Sequence, residues 1–129
     1  ISLSPGKEVI IKLRNKQKSF KDEVEINEWV NTMKLLYYIS GGKEQEKKPG
    51  QLQLIANLVD IIEDQNNYYA VMERVIGRDL FDYFVQEKIY EKDYKLKLAK
   101  KMALIISQSL YELHSQGLIH KDLKLENIV

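Results

Sequence analysis

The most informative part of the sequence is His120-Lys-Asp-Leu-Lys-Leu-Glu-Asn127, close to the last residue. It combines a carboxylate, Asp122, with an amide five residues later, Asn127. A predicted helix over 93–115 precedes it, because apolar residues recur there at helical spacing. Gly117 is typical of the residue that ends such a helix. A lone aspartate after a helix is most often a solvated surface charge, so the meaning of this stretch depends on what accompanies it.

The composition is that of an ordinary globular protein. The 129 residues suffice for about one domain, and 44% are hydrophobic against 30% charged, which excludes collagen-like and disordered chains. Twenty basic and 19 acidic residues leave a net charge of +1, so bulk charge does not indicate nucleic acid as a partner. Cysteine is absent, which excludes disulfides and a cysteine nucleophile. No apolar run reaches the roughly 20 residues of a membrane span and no signal peptide is recognisable, so an intracellular, cytoplasmic protein is expected.

Hydrophobic periodicity predicts a sheet with one helix, followed by helices alone. In chain order the patterns predict a strand around 9–13, a helix over 20–38, an exposed loop over 40–50, a strand over 52–62, a turn at 63–67, a strand over 68–75, and helices over 79–87 and 93–115. The two later strands are separated by a short polar turn, so we expect them to pair as an antiparallel hairpin. This order of elements indicates an α+β fold.

The stretch His120–Asn127 resembles the catalytic loop of protein kinases, whose pattern is H-R-D-x-x-x-x-N. The resemblance implies that Asp122 orients the attacking hydroxyl and accepts its proton, and that Asn127 binds Mg²⁺. It also implies that Lys124 neutralises charge on the transferred phosphoryl group. A lysine two residues after the aspartate is the Ser/Thr-kinase version of the loop. The implied acceptor is therefore a serine or threonine of a protein substrate.

A second resemblance lies in Lys7-Glu-Val-Ile-Ile-Lys12, which is similar to the V-A-I-K strand of the same family. It implies that Lys12 pairs with the α- and β-phosphates of ATP and with a glutamate of the following helix. Three glutamates are candidates for that catalytic pair, namely Glu23, Glu25 and Glu28. Glu28 is favoured because it lies sixteen residues after Lys12 and has apolar neighbours, and the other two stay open as alternatives.

A third resemblance covers Tyr68–Phe81, which is similar to the family's hinge pattern L-Y-L-V-M-E-Y-V-x-G-G-E-L-F. It implies that Met72 is the gatekeeper behind the adenine of ATP, and that backbone groups of Glu73 and Val75 bind the adenine edge. Asp79 is expected to reach a ribose hydroxyl, to cap the following helix, or to do both. The ATP-site residues implied by the resemblance are Lys12, Ile10, Met72, Glu73, Val75, Asp79 and Val129.

The sequence departs from the family pattern at several points. Ile10 replaces the usual alanine over the adenine. Lys121 replaces the arginine of H-R-D and cannot offer that residue's bidentate fork. No glycine-rich loop precedes Lys12 and no D-F-G follows Asn127. We therefore expect a fragment of a Ser/Thr protein kinase that is inactive by itself, most similar to the calcium/calmodulin-dependent type.

The resemblance also implies a division into two lobes. Residues 1–75 would form a small lobe with an antiparallel sheet, one main helix and the hinge strand, and residues 76–129 the hinge end and the beginning of a helical large lobe. The implied cofactors are ATP and Mg²⁺, and the implied partner is a protein with a Ser/Thr acceptor, with no nucleic acid and no membrane span. The alternatives are a pseudokinase scaffold or nucleotide-binding module without transfer, and a small-molecule phosphotransferase.

Overall fold

The computed structural model describes residues 8–42, 54–86 and 92–129. The chain divides into two compact units, Ile1–Arg74 and Val75–Val129, here called the sheet unit and the helical unit. The elements of the sheet unit are β1 (Val9–Asn15), α1 (Glu23–Ser40), β2 (Leu58–Glu63) and β3 (Asn67–Glu73). Those of the helical unit are α2 (Leu80–Gln86), α3 (Lys92–Ser115) and a 3₁₀ turn (Leu125–Asn127). The predicted α+β fold class is confirmed.

The sheet has the strand order β1-β3-β2, with both pairings antiparallel. The predicted hairpin is therefore confirmed as β2 and β3. Leu58 and Val71 are fully buried in the sheet unit, and burial of one such aliphatic side chain contributes about 1.5–3 kcal/mol. Leu58 is opposite Met72 and shares its face of the sheet, the one against which α1 packs, whereas Val71 alternates with Met72 along β3 and lies on the other face.

Helix α1 begins at Glu23, three residues later than predicted, because Asp22 caps it. The Asp22 carboxylate accepts a hydrogen bond from the Glu25 N–H at 2.9 Å, which satisfies a donor that the first turn cannot use internally. Gly41, with φ of 104°, ends the helix in the left-handed conformation that favours glycine. Phe20, predicted as the first helical residue, instead lies buried before the cap.

Strand β2 begins at Leu58, whereas the sequence predicts a strand from residue 52. Residues 52–53 lie outside the described residues, as do 43–50 of the predicted loop, but 54–57 are described and are not in a strand. The cause is two hydrogen bonds to side chains that are distant in the chain: the Leu58 N–H donates to Ser40 Oγ at 3.1 Å and the Asn57 N–H to the Glu73 carboxylate at 2.9 Å. Regular pairing with β3 therefore starts only after these two donors.

Helix α3 ends in a Schellman motif around Gly117, whose φ of 78° confirms the predicted helix end. The Gly117 N–H donates to the His114 carbonyl at 2.9 Å, and the Leu118 N–H donates to the Leu113 carbonyl at 3.2 Å. Both leucines are buried, as the apolar contact of this motif requires. The motif turns the chain from α3 towards the stretch His120–Asn127. No described helix combines the length and apolarity that a membrane crossing needs.

Candidate active site

Asp122 and Asn127 are joined directly by the side chain of Asn127. Its amide nitrogen Nδ2 donates to the Asp122 backbone carbonyl at 2.7 Å and to the Asp122 carboxylate oxygen Oδ2 at 3.0 Å. Because the nitrogen is used in this way, the amide oxygen Oδ1 is the remaining polar atom, and it makes no hydrogen bond with any described residue. Amide oxygens are hard ligands that suit Mg²⁺, so Asn127 fits its predicted role.

Lys124 lies beside the same carboxylate, with its Nζ 3.8 Å from Asp122 Oδ2. The two side chains are 50% and 70% exposed, and ion pairs so open to water contribute little to stability. The ammonium group is therefore close to the aspartate but weakly held by it. A lysine in that state can contact an incoming anionic group at low cost.

The backbone is irregular on both sides of Asp122, with a left-handed residue before it and a 3₁₀ turn after it. Lys121 has φ of 63°, a left-handed conformation that is unfavourable for a residue with a side chain. The Asp122 N–H then donates to Nδ1 of His120 at 3.3 Å, and the Asn127 N–H donates to the Lys124 carbonyl at 3.0 Å. Strained backbone of this kind costs about 1–3 kcal/mol and is concentrated at functional sites.

The segment before α2 lies against the end of this loop. The Leu80 N–H donates to the Ile128 carbonyl at 2.8 Å, and a Cβ added at Gly77 would stand 2.7 Å from Val129 Cγ1. Asp79 accepts a hydrogen bond from the Asp82 N–H at 2.8 Å, so its predicted role as a helix cap is confirmed. Val129 and Asp79, two predicted ATP-site residues, are thus held in the same corner of the helical unit.

Val75 lies outside the helices and strands of the structure and its side chain is 45% exposed. Neither its N–H nor its C=O forms a hydrogen bond with any of the described residues. A residue whose backbone N–H and C=O are both unused can pair with the edge of a planar heterocycle. The structure thus leaves Val75 suited to the predicted adenine contact.

In the sheet unit, the register places Lys12 on the face that α1 covers. Residues directly opposite in an antiparallel pair share a face, and Lys12 is opposite Ala70 while Arg14 is opposite Tyr68. Residues two apart on a strand share a face as well, so Lys12 lies on the side of Tyr68. The Trp29 ring of α1 lies 5.3 Å from the Tyr68 ring, centroid to centroid, which places the helix on that side too.

No carboxylate of the described residues forms an ion pair with Lys12, which is exposed on its strand. Of the three candidate partners, Glu25 is committed elsewhere, because its Oε2 accepts a hydrogen bond from the Lys21 N–H at 2.8 Å. Glu23 and Glu28 are exposed on α1, and neither side chain contacts a described polar group. The partner of Lys12 thus stays a prediction.

Two predicted adenine-site residues stand together at one end of the sheet. Ile10 is opposite Met72 in the register, so the two side chains share a face with Lys12. Glu73 follows at the end of β3, and its carboxylate accepts the hydrogen bond from Asn57 described above. Asn57 is 5% exposed. The sequence does not predict its contact with Glu73, because the only available signal is a polar residue ahead of an apolar run.

Perturbed ionisation occurs at the turn between β2 and β3, away from the predicted site residues. The Tyr69 hydroxyl donates to Asp64 at 2.7 Å; this bond lowers the pKa of Asp64 and raises that of Tyr69. A hydrogen bond to Glu63, at 2.6 Å, raises the pKa of Lys16. These groups stabilise the turn, and none of them belongs to the predicted catalytic set.

Comparisons with known proteins identify the family. A family model described as "Protein kinase domain" matches residues 7–129. The chain is 29% identical over 135 aligned residues to a hormonally up-regulated neu tumor-associated kinase homolog of Xenopus tropicalis, covering 100% of this chain. It is 38% identical over 77 residues to the probable serine/threonine-protein kinase fhkC of Dictyostelium discoideum, covering 60% of this chain. A third relative is the MAP kinase-interacting serine/threonine-protein kinase mnk-1 of Caenorhabditis elegans, 32% identical over 58% of this chain.

This chain spans only a small part of those relatives: 16%, 12% and 10% of their respective lengths. The similarity therefore concerns the kinase domain and not the remainder of each relative. The finer resemblance to calcium/calmodulin-dependent kinases stays a prediction. The match over residues 7–129, with the Ser/Thr kinases among the relatives, shows that the chain belongs to the protein kinase domain family as part of a eukaryotic-type Ser/Thr kinase domain.

Proposed function

We propose that this chain is part of an enzyme that transfers the γ-phosphoryl group of ATP to a serine or threonine hydroxyl of a protein. The observation that carries the proposal is the hydrogen-bonded pair Asp122–Asn127 with Lys124 beside it. A carboxylate, a metal-binding amide oxygen and a cation are the groups that phosphoryl transfer needs close to one another.

Each of the three side chains has an unused atom for its role. Asp122 engages Oδ2 with Asn127 and Lys124, while its Oδ1 forms no hydrogen bond with a described residue and is open to the acceptor hydroxyl. Asp122 thus orients that hydroxyl and takes its proton. Asn127 Oδ1 would hold Mg²⁺, which when bound neutralises phosphate charge. Lys124 stabilises the charge on the γ-phosphoryl oxygens.

The ATP-binding roles that we propose fall on residues of the sheet unit and on residues of the helical unit, each unit taken by itself. The sheet unit supplies Lys12 for the α- and β-phosphates, with Glu28 as its favoured partner, and Ile10 and Met72 for the adenine faces. The Glu73 carbonyl accepts from the adenine amino group. The helical unit supplies three further residues. Val75 would bind the adenine edge through its backbone, and Val129 would contact the base. Asp79 would bind a ribose hydroxyl through the same carboxylate that caps α2.

We further propose that residues 1–75 correspond to the small lobe and hinge strand of the kinase fold, and 76–129 to the hinge end and the first part of the large lobe. The 129 residues include neither a glycine-rich loop nor a D-F-G aspartate. Both hold phosphates and metal in this family, so the chain by itself should not catalyse transfer. Since the proposed reaction consumes ATP, an intracellular substrate, we propose an intracellular protein, with the cytoplasm as its default compartment.

The test is transfer of labelled γ-phosphate by the full-length protein to peptides that differ only in the acceptor, serine, threonine or tyrosine. A small alcohol is offered in parallel. Label in the serine and threonine peptides is expected. Label in the small alcohol alone would show a small-molecule phosphotransferase and contradict the proposal.

A pseudokinase scaffold is the second candidate, favoured by two observations. Lys12 forms no ion pair among the described residues, and the bulkier Ile10 stands where the family has alanine. The same assay separates the two functions when nucleotide binding is measured beside it. A protein that binds ATP and labels no acceptor would be a scaffold.

A further inference from the structure

The start of β2 and the end of β3 are joined by an altered pair of hydrogen bonds. In an ordinary hydrogen-bonded antiparallel pair, each residue donates its N–H to the carbonyl of the other. The Glu73 N–H donates to the Asn57 carbonyl at 2.9 Å, which is one half of such a pair. The other half runs through a side chain, because the Asn57 N–H donates to Oε1 of Glu73, also at 2.9 Å.

Because the Asn57 N–H donates to the Glu73 side chain, the backbone carbonyl of Glu73 lacks the donor that it would have in a regular pair. Among the hydrogen bonds that described residues form outside the strand ladders, none ends on that oxygen. The next N–H along the chain, that of Leu58, is directed to Ser40 Oγ at 3.1 Å. Asn57 is almost fully buried, so its N–H needs a protein acceptor, and the Glu73 carboxylate supplies one.

We infer that the Glu73 side chain is a positioning residue for nucleotide binding: by taking the Asn57 N–H, it keeps the Glu73 carbonyl free for the 6-amino group of adenine. The inference rests on the proposed function, which gives that carbonyl its adenine partner. Without the carboxylate, the Asn57 N–H would turn to the backbone carbonyl as in a regular ladder. The oxygen would then be shared with, and partly covered by, a neighbouring peptide.

The test compares two nucleotides by calorimetric titration of the full-length protein. ADP carries the 6-amino group, and purine riboside diphosphate differs from it by lacking that group. Glu73→Ala is expected to weaken ADP binding about three- to tenfold, the effect of about one hydrogen bond, and to leave the affinity for the purine analogue unchanged. Glu73→Gln keeps an oxygen that can accept the Asn57 N–H, so both affinities should stay near those of the wild type.

The outcomes separate the inference from the proposed function. An equal loss for both nucleotides in Glu73→Ala would mean that the side chain acts through stability alone, and would overturn the inference. The inference would also be overturned if the wild-type protein bound ADP no more tightly than the purine analogue. If the wild type bound neither nucleotide, the proposed function itself would fail, and the inference with it. If Glu73→Ala does not fold, Glu73→Asp is the variant to measure. Its shorter side chain moves the carboxylate away from the Asn57 N–H, so ADP should bind more weakly. An ADP affinity equal to that of the wild type would contradict the inference.

Discussion

The two groups of predicted catalytic residues differ in how the structure holds them. In the helical unit, Asp122, Lys124 and Asn127 contact one another over distances of 2.7–3.8 Å. In the sheet unit, Lys12 lies on the face that α1 covers, yet it pairs with none of the described carboxylates. The residues of the first group contact one another within their unit. In the second group, Lys12 and α1 lie on the same face of the sheet, but Lys12 makes no ion pair with a described glutamate of that helix.

The difference follows from the lengths of chain involved. Asp122 and Asn127 are five residues apart and are brought together within that short segment by a single 3₁₀ turn. A pair between Lys12 and Glu28 spans sixteen residues and depends on where α1 packs against the sheet. Local hydrogen bonds can organise the first pair without help, whereas the second pair needs the helix in one particular position.

The largest effect is expected from removing the side chain that holds the loop together. Asn127→Ala deletes both hydrogen bonds to Asp122 and the oxygen proposed for Mg²⁺, so kcat for peptide phosphorylation by the full-length protein should fall at least about a hundredfold. Glu126→Gln is the matched control, because Glu126 is exposed in the same turn and forms no described hydrogen bond. Equal activity of the two variants would show that the link is not part of the catalytic machinery.

A smaller loss should identify the partner of Lys12. Glu28→Gln is expected to reduce kcat/KM for ATP about ten- to a hundredfold, since charge-assisted hydrogen bonds contribute about 1.5–3 kcal/mol. Glu25→Gln is the control, because that carboxylate already accepts the Lys21 N–H. The effect of Glu28→Gln should vanish in a Lys12→Met background. If Glu23→Gln shows the loss instead, the favoured pairing is wrong.

The smallest effect concerns stability in the helical unit. Asp79→Ala removes the cap of α2 and should lower the free energy of unfolding by about 1 kcal/mol, measured by chemical denaturation of the full-length protein. Asp79→Asn caps almost as well and should be close to the wild type. A ribose contact would add a rise in KM for ATP in both variants. Identical denaturation midpoints for Asp79→Ala and the wild type would argue against the cap.

Much of the fold could be predicted, because the signals were local. Alternation around Val9–Leu13 predicts β1, helical spacing over 93–115 predicts α3, and Gly117 marks its end. The stretch His120–Asn127 is recognised through its resemblance to the kinase pattern together with two further motifs upstream, and the roles of its residues stay predictions.

The errors arise where distant residues decide. The sequence predicts too early a start for β2 because the N–H groups of Asn57 and Leu58 donate to side chains of Glu73 and Ser40, sixteen and eighteen residues away. No periodicity encodes such partners. The same limit applies to the choice among the α1 glutamates, where helical spacing gives the candidates but the packing of the helix decides.

The central claim is that Asp122 is the catalytic carboxylate of a Ser/Thr kinase, and Asp122→Asn in the full-length protein tests it most directly. The amide can still accept the Asn127 hydrogen bond but cannot take a proton, so the melting temperature should change little. The rate of phosphate transfer to a serine peptide should fall about 10²–10⁴-fold, the usual contribution of a general base. Transfer near the wild-type rate by the folded variant would contradict the account.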